Sequence, residues 1–300
     1  MTGGIHALML EKLDYVSIKG EQPLNEDALV LNSLAGLFGV LDGATSLTPY
    51  VNRNNETGGY IAANLLKAHF ERLSGPTDVR GELLEANRKL RAEMAEQGID
   101  VDRKERLWSA AAAVVQIHEH TVSFAQAGDC MLLAVYRDGT VRPLTRPQLS
   151  HIDSVTLAKW QEGRERGLET KQQLRAYIYE TIKANRERSN TPDGYSVING
   201  EEAASHYVEY GTVNRIRLQH LVMLSDGIYL PGRDSAEPSY WTDLAEAVVS
   251  RGLRAYAEEL VRFEQEDPDG KRHLRLKKSD DKSGVIVSFH RPQHMEGASR

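Results

Sequence analysis

The stretch Gly36-Leu37-Phe38-Gly39-Val40-Leu41-Asp42-Gly43-Ala44-Thr45-Ser46 decides how the chain is read. Leu37 to Leu41 form a nearly continuous apolar run, as in a strand buried on both faces, and the run stops at Asp42-Gly43. A carboxylate is thereby fixed at the end of a rigid element. Glycine permits a positive φ and a close approach to the main chain, so the Gly43 carbonyl and the Asp42 carboxylate can face one point, which is half of a site for a hard cation. The plainer reading of the same residues is an ordinary Asp-Gly turn. The two readings separate on whether other acids occur in equivalent places.

Upstream, Tyr15 to Lys19 alternates like a half-buried strand, and Gly20-Glu21-Gln22-Pro23 reads as a turn. Asn25-Glu26-Asp27-Ala28-Leu29-Val30-Leu31 then opens a strand with two acids at its start. The tight turn at Asn32-Ser33 makes this strand and Leu37 to Asp42 an antiparallel hairpin, which carries Asp27 and Asp42 to the same edge. Downstream, a polar loop from Ala44 to Glu56 holds Arg53, and Thr57 is placed to cap a helix with Ile61, Leu65 and Ala68 on one face. A second helix is expected over about Asp78 to Gln97.

Ala110 to Ile117, Val122 to Gln126 and Met131 to Tyr136 read as a meander, and Asp129 lies between a strand and a turn. His118 and His120 flank a hairpin tip, a position that suits solvent exposure better than metal binding. Residues 146–212 read as a helical insertion whose final part, up to Gly211, gives no strong pattern. His220 to Gly227 repeats the behaviour seen at Asp42, an apolar run that ends at Asp226-Gly227. Helices are expected at Trp241 to Ser250 and Ala255 to Glu264, after which Asp280-Asp281 stands directly before the buried strand Val285 to Phe289. The tail 291–300 lacks a core-forming pattern.

The chain has 300 residues, of which 40% are hydrophobic and 27% charged, as in a soluble globular protein with a sizeable core. One domain over 1–290, with 146–212 as a flap inserted in it, accounts for the pattern. The formal net charge of -6 gives no general attraction to nucleic acid or to acidic membranes, so neither is expected as a partner. The single cysteine, Cys130, excludes an intramolecular disulfide framework and fits a reducing compartment. No apolar run approaches the roughly 20 residues of a membrane span, and the N-terminal stretch does not resemble a signal peptide. The expected location is cytoplasmic.

Asp27, Asp42, Asp226 and Asp281 thus occupy four strand termini, with Asp129 at a fifth. Carboxylates gathered without cationic neighbours repel each other and lose hydration unless a bound cation compensates, so convergence of these ends implies magnesium or manganese. Oxygen-only ligands suit those metals, and no Cys/His cluster suggests zinc. A Ser/His/Asp hydrolase is the competing catalytic class, but the chain has no Gly-x-Ser-x-Gly elbow.

The ordered set Asn25-Glu26-Asp27-Ala28, Val40-Leu41-Asp42-Gly43, Gly58-Gly59 with Ala62-Ala63, Ala127-Gly128-Asp129-Cys130, Leu144-Thr145, Leu224-Ser225-Asp226-Gly227, and Asp280-Asp281 before Val285-Ile286-Val287 resembles the metal-dependent Ser/Thr phosphatases of the protein phosphatase 2C family, bacterial type. The resemblance spans roughly residues 12 to 290. It implies an α+β fold, a four-layer α-β-β-α sandwich with two central antiparallel sheets, plus a flap at the helical insertion. It further implies two tightly bound Mn2+ or Mg2+ ions bridged by Asp42, one completed by Asp226 and Asp281, the other by Asp27 and the Gly43 carbonyl, with Glu26 as the alternative acid. Asp129 matches the acid that helps hold a third, weaker ion in some members. The implied reaction is attack of a metal-activated water on a phosphoserine or phosphothreonine of a protein partner, without a phosphoenzyme.

Three departures stand out. The phosphate-binding arginine expected five residues before Asp27 is Gln22, the loop after Asp42-Gly43 reads Ala44-Thr45-Ser46, and the asparagine usual after the last aspartate is Lys282. Arg53, Lys19 and Lys282 are the nearby cations that could replace the arginine, with Arg53 favoured because its loop is long and leads into a helix N-terminus. The alternative function is a phosphatase-like metal-binding module with little turnover that binds a phosphorylated partner.

Overall fold

The computed structural model describes residues 10–290, and the tail 291–300 lies outside them. In chain order the elements are β1 (Leu10–Ile18), β2 (Asp27–Asn32), β3 (Leu37–Ala44), α1 (Gly58–Glu71), α2 (Val79–Glu96), β4 (Ser109–Ile117), β5 (Thr121–Ala127), β6 (Met131–Tyr136), β7 (Val141–Pro143), α3 (Ser150–Glu165), α4 (Lys171–Glu187), β8 (Glu209–Asn214), β9 (Leu218–Leu224), α5 (Tyr240–Arg251), α6 (Leu253–Glu266) and β10 (Lys282–Phe289). The strands form two antiparallel five-stranded sheets, ordered β1-β10-β9-β6-β7 and β2-β3-β4-β5-β8. With helices outside both sheets, this is the α+β sandwich expected from the resemblance.

Strand alternation sorts the core into layers. In β3, Phe38 and Val40 point between the sheets, where they meet Val115, Leu132, Met223, Val285 and Val287, while Leu37 and Leu41 point outward onto α1 and α2. The apolar faces of α5 and α6 cover the other sheet through Leu244, Val248, Tyr256 and Leu260. Both faces of β3 and β4 are therefore dry, which explains why these strands read as unbroken apolar runs and not as alternating ones.

Three expectations from the sequence are corrected. The strands β4, β5 and β6 are not one meander: β4 and β5 pair with each other, but β6 belongs to the facing sheet, between β9 and β7. The chain crosses between sheets at Gly128-Asp129-Cys130, where Gly128 takes φ +80°. Residues 146–212 are helical only over α3 and α4, and the patternless end is β8, an edge strand whose burial alternates along its length and which pairs with β5. Lys282 does not face a phosphate site. It is fully buried, and its ammonium donates to Glu264 Oε1 (2.9 Å) and Oε2 (2.8 Å), Ser279 Oγ (3.2 Å) and the Asp280 carbonyl (2.9 Å).

The Lys282 pair ties the start of β10 to α6, and a buried charge keeps its place only while its partner is present. Glu264→Gln is expected to destabilise the fold by about 3–5 kcal/mol, whereas Glu264→Leu combined with Lys282→Met recovers most of the loss. Urea unfolding of the three chains measures both effects, and equal destabilisation by the single and double changes would count against a charge-specific role.

Candidate active site

Five chain segments meet at one mouth of the inter-sheet core. Asp27, first residue of β2, stands directly opposite Asp42 in β3, and Asp42 shares the inward face of Phe38 and Val40. From the facing sheet, β9 ends at Leu224 and Asp226 begins a short 3-10 turn; Asp280 and Asp281 precede β10. Asp129 sits at the crossing between sheets. The Ser225 hydroxyl donates to Asp27 Oδ2 (2.8 Å) and accepts the Ser283 N–H (3.0 Å), so one side chain joins β2, β9 and β10 at this corner.

The two acids before β10 have different surroundings. Asp281 is buried, and its carboxylate accepts the Gly20 N–H at 2.6 Å and the Glu26 N–H at 2.7 Å. Both of its oxygens are therefore used in holding the β1–β2 connection against β10. Asp280 instead lines a cavity of about 1080 Å³ together with Asp42, Asp129 and Asp226, and it accepts the Lys277 ammonium at 2.6 Å. Of the two adjacent acids, Asp280 lines the cavity and Asp281 faces the frame.

Burial raises the carboxyl groups of Asp42, Asp27 and Asp129 well above the usual carboxylate range, and neighbouring negative charges add to it. For Asp42 those neighbours are Asp27, Asp226, Asp129 and Asp280. Asp226 is raised by burial and by Asp280, opposed by the Lys277 ammonium and by a hydrogen bond to Asp42. Asp153, on α3, adds a further acid that sequence reasoning missed; burial and the charge of Asp226 push it up to about 7. Among the described residues, no three Asp, Glu, His or Cys side chains converge as a closed ligand shell. The Lys277 ammonium, paired with Asp280, offsets part of the repulsion between acids that lie near each other. The oxygens are nonetheless of the type that a hard divalent cation takes.

Gly43 packs against the start of α1, where a Cβ would run into the Gly59 carbonyl. A Cβ on Gly59 would in turn come within 2.9 Å of the Gly43 carbonyl, the Ala44 carbonyl and Glu26 Oε1. These oxygens therefore lie together beside Asp42. The buried Glu26 carboxylate accepts hydroxyl donors from Thr45 (2.8 Å) and from Thr57, the N-cap of α1.

None of the sequence-nominated cations projects into the cavity. Arg53 is exposed at the tip of a turn closed by Asn52 and Glu56. Exposed Lys19 donates to the Gln22 carbonyl (2.9 Å) and borders a small cleft beside α6. Gln22 does line the large cavity, without charge. Arg186 and Tyr195, from the flap, line it as well, and no sequence pattern singled them out.

The sequence profile described as "Protein phosphatase 2C" matches residues 17–274. A search of curated protein sequences returns no match. Among solved structures, the serine/threonine phosphatase Stp1 from Staphylococcus aureus superposes with a TM-score of 0.57 at 14% identity, covering 97% of this chain and 100% of that one. The serine/threonine phosphatase PstP/Ppp of Mycobacterium tuberculosis gives 0.55 at 16%, covering 93% and 99%. The catalytic domain of PstP in complex with two manganese ions gives 0.54 at 16%, covering 93% and 98%. The profile match over most of the chain shows that it belongs to the protein phosphatase 2C family.

Exchanging the roles of the two adjacent acids is directly testable. Asp280→Asn is expected to weaken Mn2+ binding at least about tenfold, whereas Asp281→Asn leaves it unchanged and costs at most about 1–3 kcal/mol of stability. Calorimetric titration with Mn2+ distinguishes them, and the reverse order would restore Asp281 as the ligand.

The raised acids also set a pH dependence for chelated protein. A folded pKa above the unfolded value near 3.9 means that the folded state holds the extra protons, so this stability is present at low pH and is lost as pH rises through the folded pKa. With Asp153 at about 7, the melting temperature of chelated protein is expected to fall between about pH 4 and pH 7, and saturating Mn2+ to flatten the slope. Thermal melts across that range read the sign, and a rise with pH would contradict it.

Proposed function

We propose that this member of the protein phosphatase 2C family hydrolyses phosphoserine and phosphothreonine monoesters in proteins with a pair of divalent cations, manganese or magnesium, held by the acids at the mouth of the sandwich. The observation that carries the reading is the convergence of Asp42, Asp129, Asp226 and Asp280 on one cavity, with burial and mutual repulsion raising three of them. Such a cluster is stable in its ionised form only beside positive charge. The two manganese ions bound by the PstP catalytic domain support the metal assignment.

Within the reading, Asp42 stands between Asp27 and Asp226 and is the residue suited to touch both ions. Asp226 and Asp280 complete one shell, Asp27 and the Gly43 carbonyl the other, and Asp129 serves a third, weaker ion. Asp281 and Glu26 hold the strands and loops that carry these groups, through main-chain N–H donors and threonine hydroxyls respectively. Ser225 fixes one oxygen of Asp27, which sets the orientation of the other. When bound, the cations supply a water nucleophile of lowered pKa and neutralise charge on the phosphoryl oxygens.

A thiol route finds no support in Cys130. It is buried in the inter-sheet core, and burial pushes its thiol well above the ordinary range, with the charges of Asp42 and Asp129 adding to the rise. The cavity is several times larger than a phosphorylated side chain needs, which fits a peptide segment as substrate. The uncharged Gln22 is a feature that a slow, binding-only module would share, but the gathering of acids around Asp42 favours turnover.

Hydrolysis of an aryl phosphate and of a phosphoserine peptide is expected to require Mn2+ or Mg2+, to cease on chelation and to return on metal addition. Asp42→Asn is expected to lower kcat/KM by more than about 100-fold. Full activity of that variant in rigorously metal-free buffer would overturn the proposal.

A further inference from the structure

Metal-held acids leave one requirement unmet, a positive group for the phosphate oxygens that face away from the cations. Gln22 has no charge, and Arg53 and Lys19 do not line the cavity. Of the cations that do, Arg233 is paired with Asp243 (2.7 Å) and Glu237 (2.6 Å), Arg275 with Asp267 (3.0 Å), and Lys277 with Asp280 (2.6 Å). Arg175 is exposed on α4.

Arg186 is different. It lies in the last turn of α4, where the neighbouring Asn185 side chain anchors the helix by donating to the buried Thr156 hydroxyl at 2.9 Å. Its guanidinium reaches over the main sheet and donates to Ser109 Oγ (2.9 Å) and the Thr45 carbonyl (3.0 Å). Ser109 pairs with Ala44 and Ala111 with Asp42, so Ser109 and Asp42 present side chains on the same sheet face, two rungs or about 7 Å apart. Among the described residues Arg186 makes no ion pair, so its charge meets only neutral acceptors while facing a cavity floored by carboxylates. The buried Tyr195 hydroxyl stands beside it.

We propose that Arg186, carried by the flap, binds the phosphoryl group of the substrate and supplies the charge that Gln22 lacks. The proposal rests on the phosphatase reading for its substrate. The guanidinium has five N–H donors in a planar fork and uses two of them on neutral oxygens, which leaves donors for an anion held next to Asp42. Because α4 belongs to the flap, phosphate affinity becomes tied to how the flap sits on the sheet. Tyr195, at the root of the same flap, holds a neutral hydroxyl beside the guanidinium.

The test is calorimetric titration of the Mn2+-loaded chain with inorganic phosphate, which needs no turnover. Arg186→Met keeps the length of the stem and removes every donor; it is expected to weaken phosphate binding about 10- to 100-fold, with a matching loss of kcat/KM on a phosphoserine peptide. Arg186→Lys is expected to lose less, since it retains the charge but not the fork. Mn2+ affinity should stay at the wild-type value in both, and melting temperature should stay at the wild-type value in Arg186→Lys and fall only slightly in Arg186→Met, which loses the contacts to Ser109 and Thr45. Unchanged phosphate affinity in Arg186→Met overturns the proposal, as does a fall in melting temperature with phosphate affinity intact in Arg186→Lys, which would make the residue a brace for the flap. A wild-type chain that binds phosphate through Arg186 but never hydrolyses an aryl phosphate would sink the phosphatase reading and leave this one standing.

Discussion

Carboxylates at the open end of an apolar slab are the constraint on which the rest of the structure turns. Water can reach them from one side only, and each stands within the field of the others, so ionising all of them without added positive charge is strongly unfavourable. The chain meets this in two ways that are visible in the side chains. The Ser225 hydroxyl donates to Asp27, and the Lys277 ammonium lies against Asp280. Both contacts relieve part of the crowding of negative charge that a divalent cation would neutralise. Metal affinity, pH response and stability are consequently three views of one electrostatic balance.

The sandwich is built so that this balance can be struck at a single place. Two sheets that pack face to face have open ends, and at this end the chain makes the β2–β3 pairing, leaves β9, enters β10 and crosses from β5 to β6. Each of those events needs a polar residue, because the strands themselves are dry on both faces. Aspartate is short enough to stay at the strand end, which keeps its carboxylate position defined by the backbone register. The supporting contacts come from groups one position away: Asp281 on the N–H groups of Gly20 and Glu26, Ser225 on Asp27, Glu26 on two threonine hydroxyls. Of the adjacent pair Asp280 and Asp281, one thus lines the cavity and its neighbour faces the frame.

That division explains what could and could not be read from the sequence. The hairpin of Asp27 and Asp42 was legible because a tight turn between two apolar runs fixes the register, and the register fixes which residues meet. Asp226 was legible from the same run-then-Asp-Gly pattern. The choice between Asp280 and Asp281 was not settled by pattern, since both precede the strand and only the backbone donors of a distant turn distinguish them. The sheet crossing at Gly128-Asp129-Cys130 was misread for a related reason: three strands with short connections look alike whether the third pairs with the second or with another sheet. Edge strand β8 escaped because its half-exposed side chains and flanking polar loop lack an apolar run. Arg186, Asp153 and Lys277 come from the flap and the α6–β10 connection, segments whose position over the site follows from tertiary packing and leaves no periodic trace.

The exchange of a charged for a neutral residue at Gln22 has a consequence for how substrate capture is organised. An arginine on the turn before β2 would belong to the rigid sandwich, so the phosphate site would be complete whether or not the flap were in place. With the charge on α4, the site is complete only when the flap rests on Thr45 and Ser109, and those contacts are hydrogen bonds to neutral oxygens. Such contacts contribute roughly 0.5–1.5 kcal/mol each and add to other ties of the flap to the frame, among them the Lys171–Glu21 ion pair. The apolar wall that the flap gives to the cavity, from Ile152, Trp160 and Ile178, then brings its own selectivity, because a substrate segment that buries apolar side chains there also seats the arginine. Recognition of the phosphate and recognition of its surroundings become one equilibrium, set by a helix and not by the core.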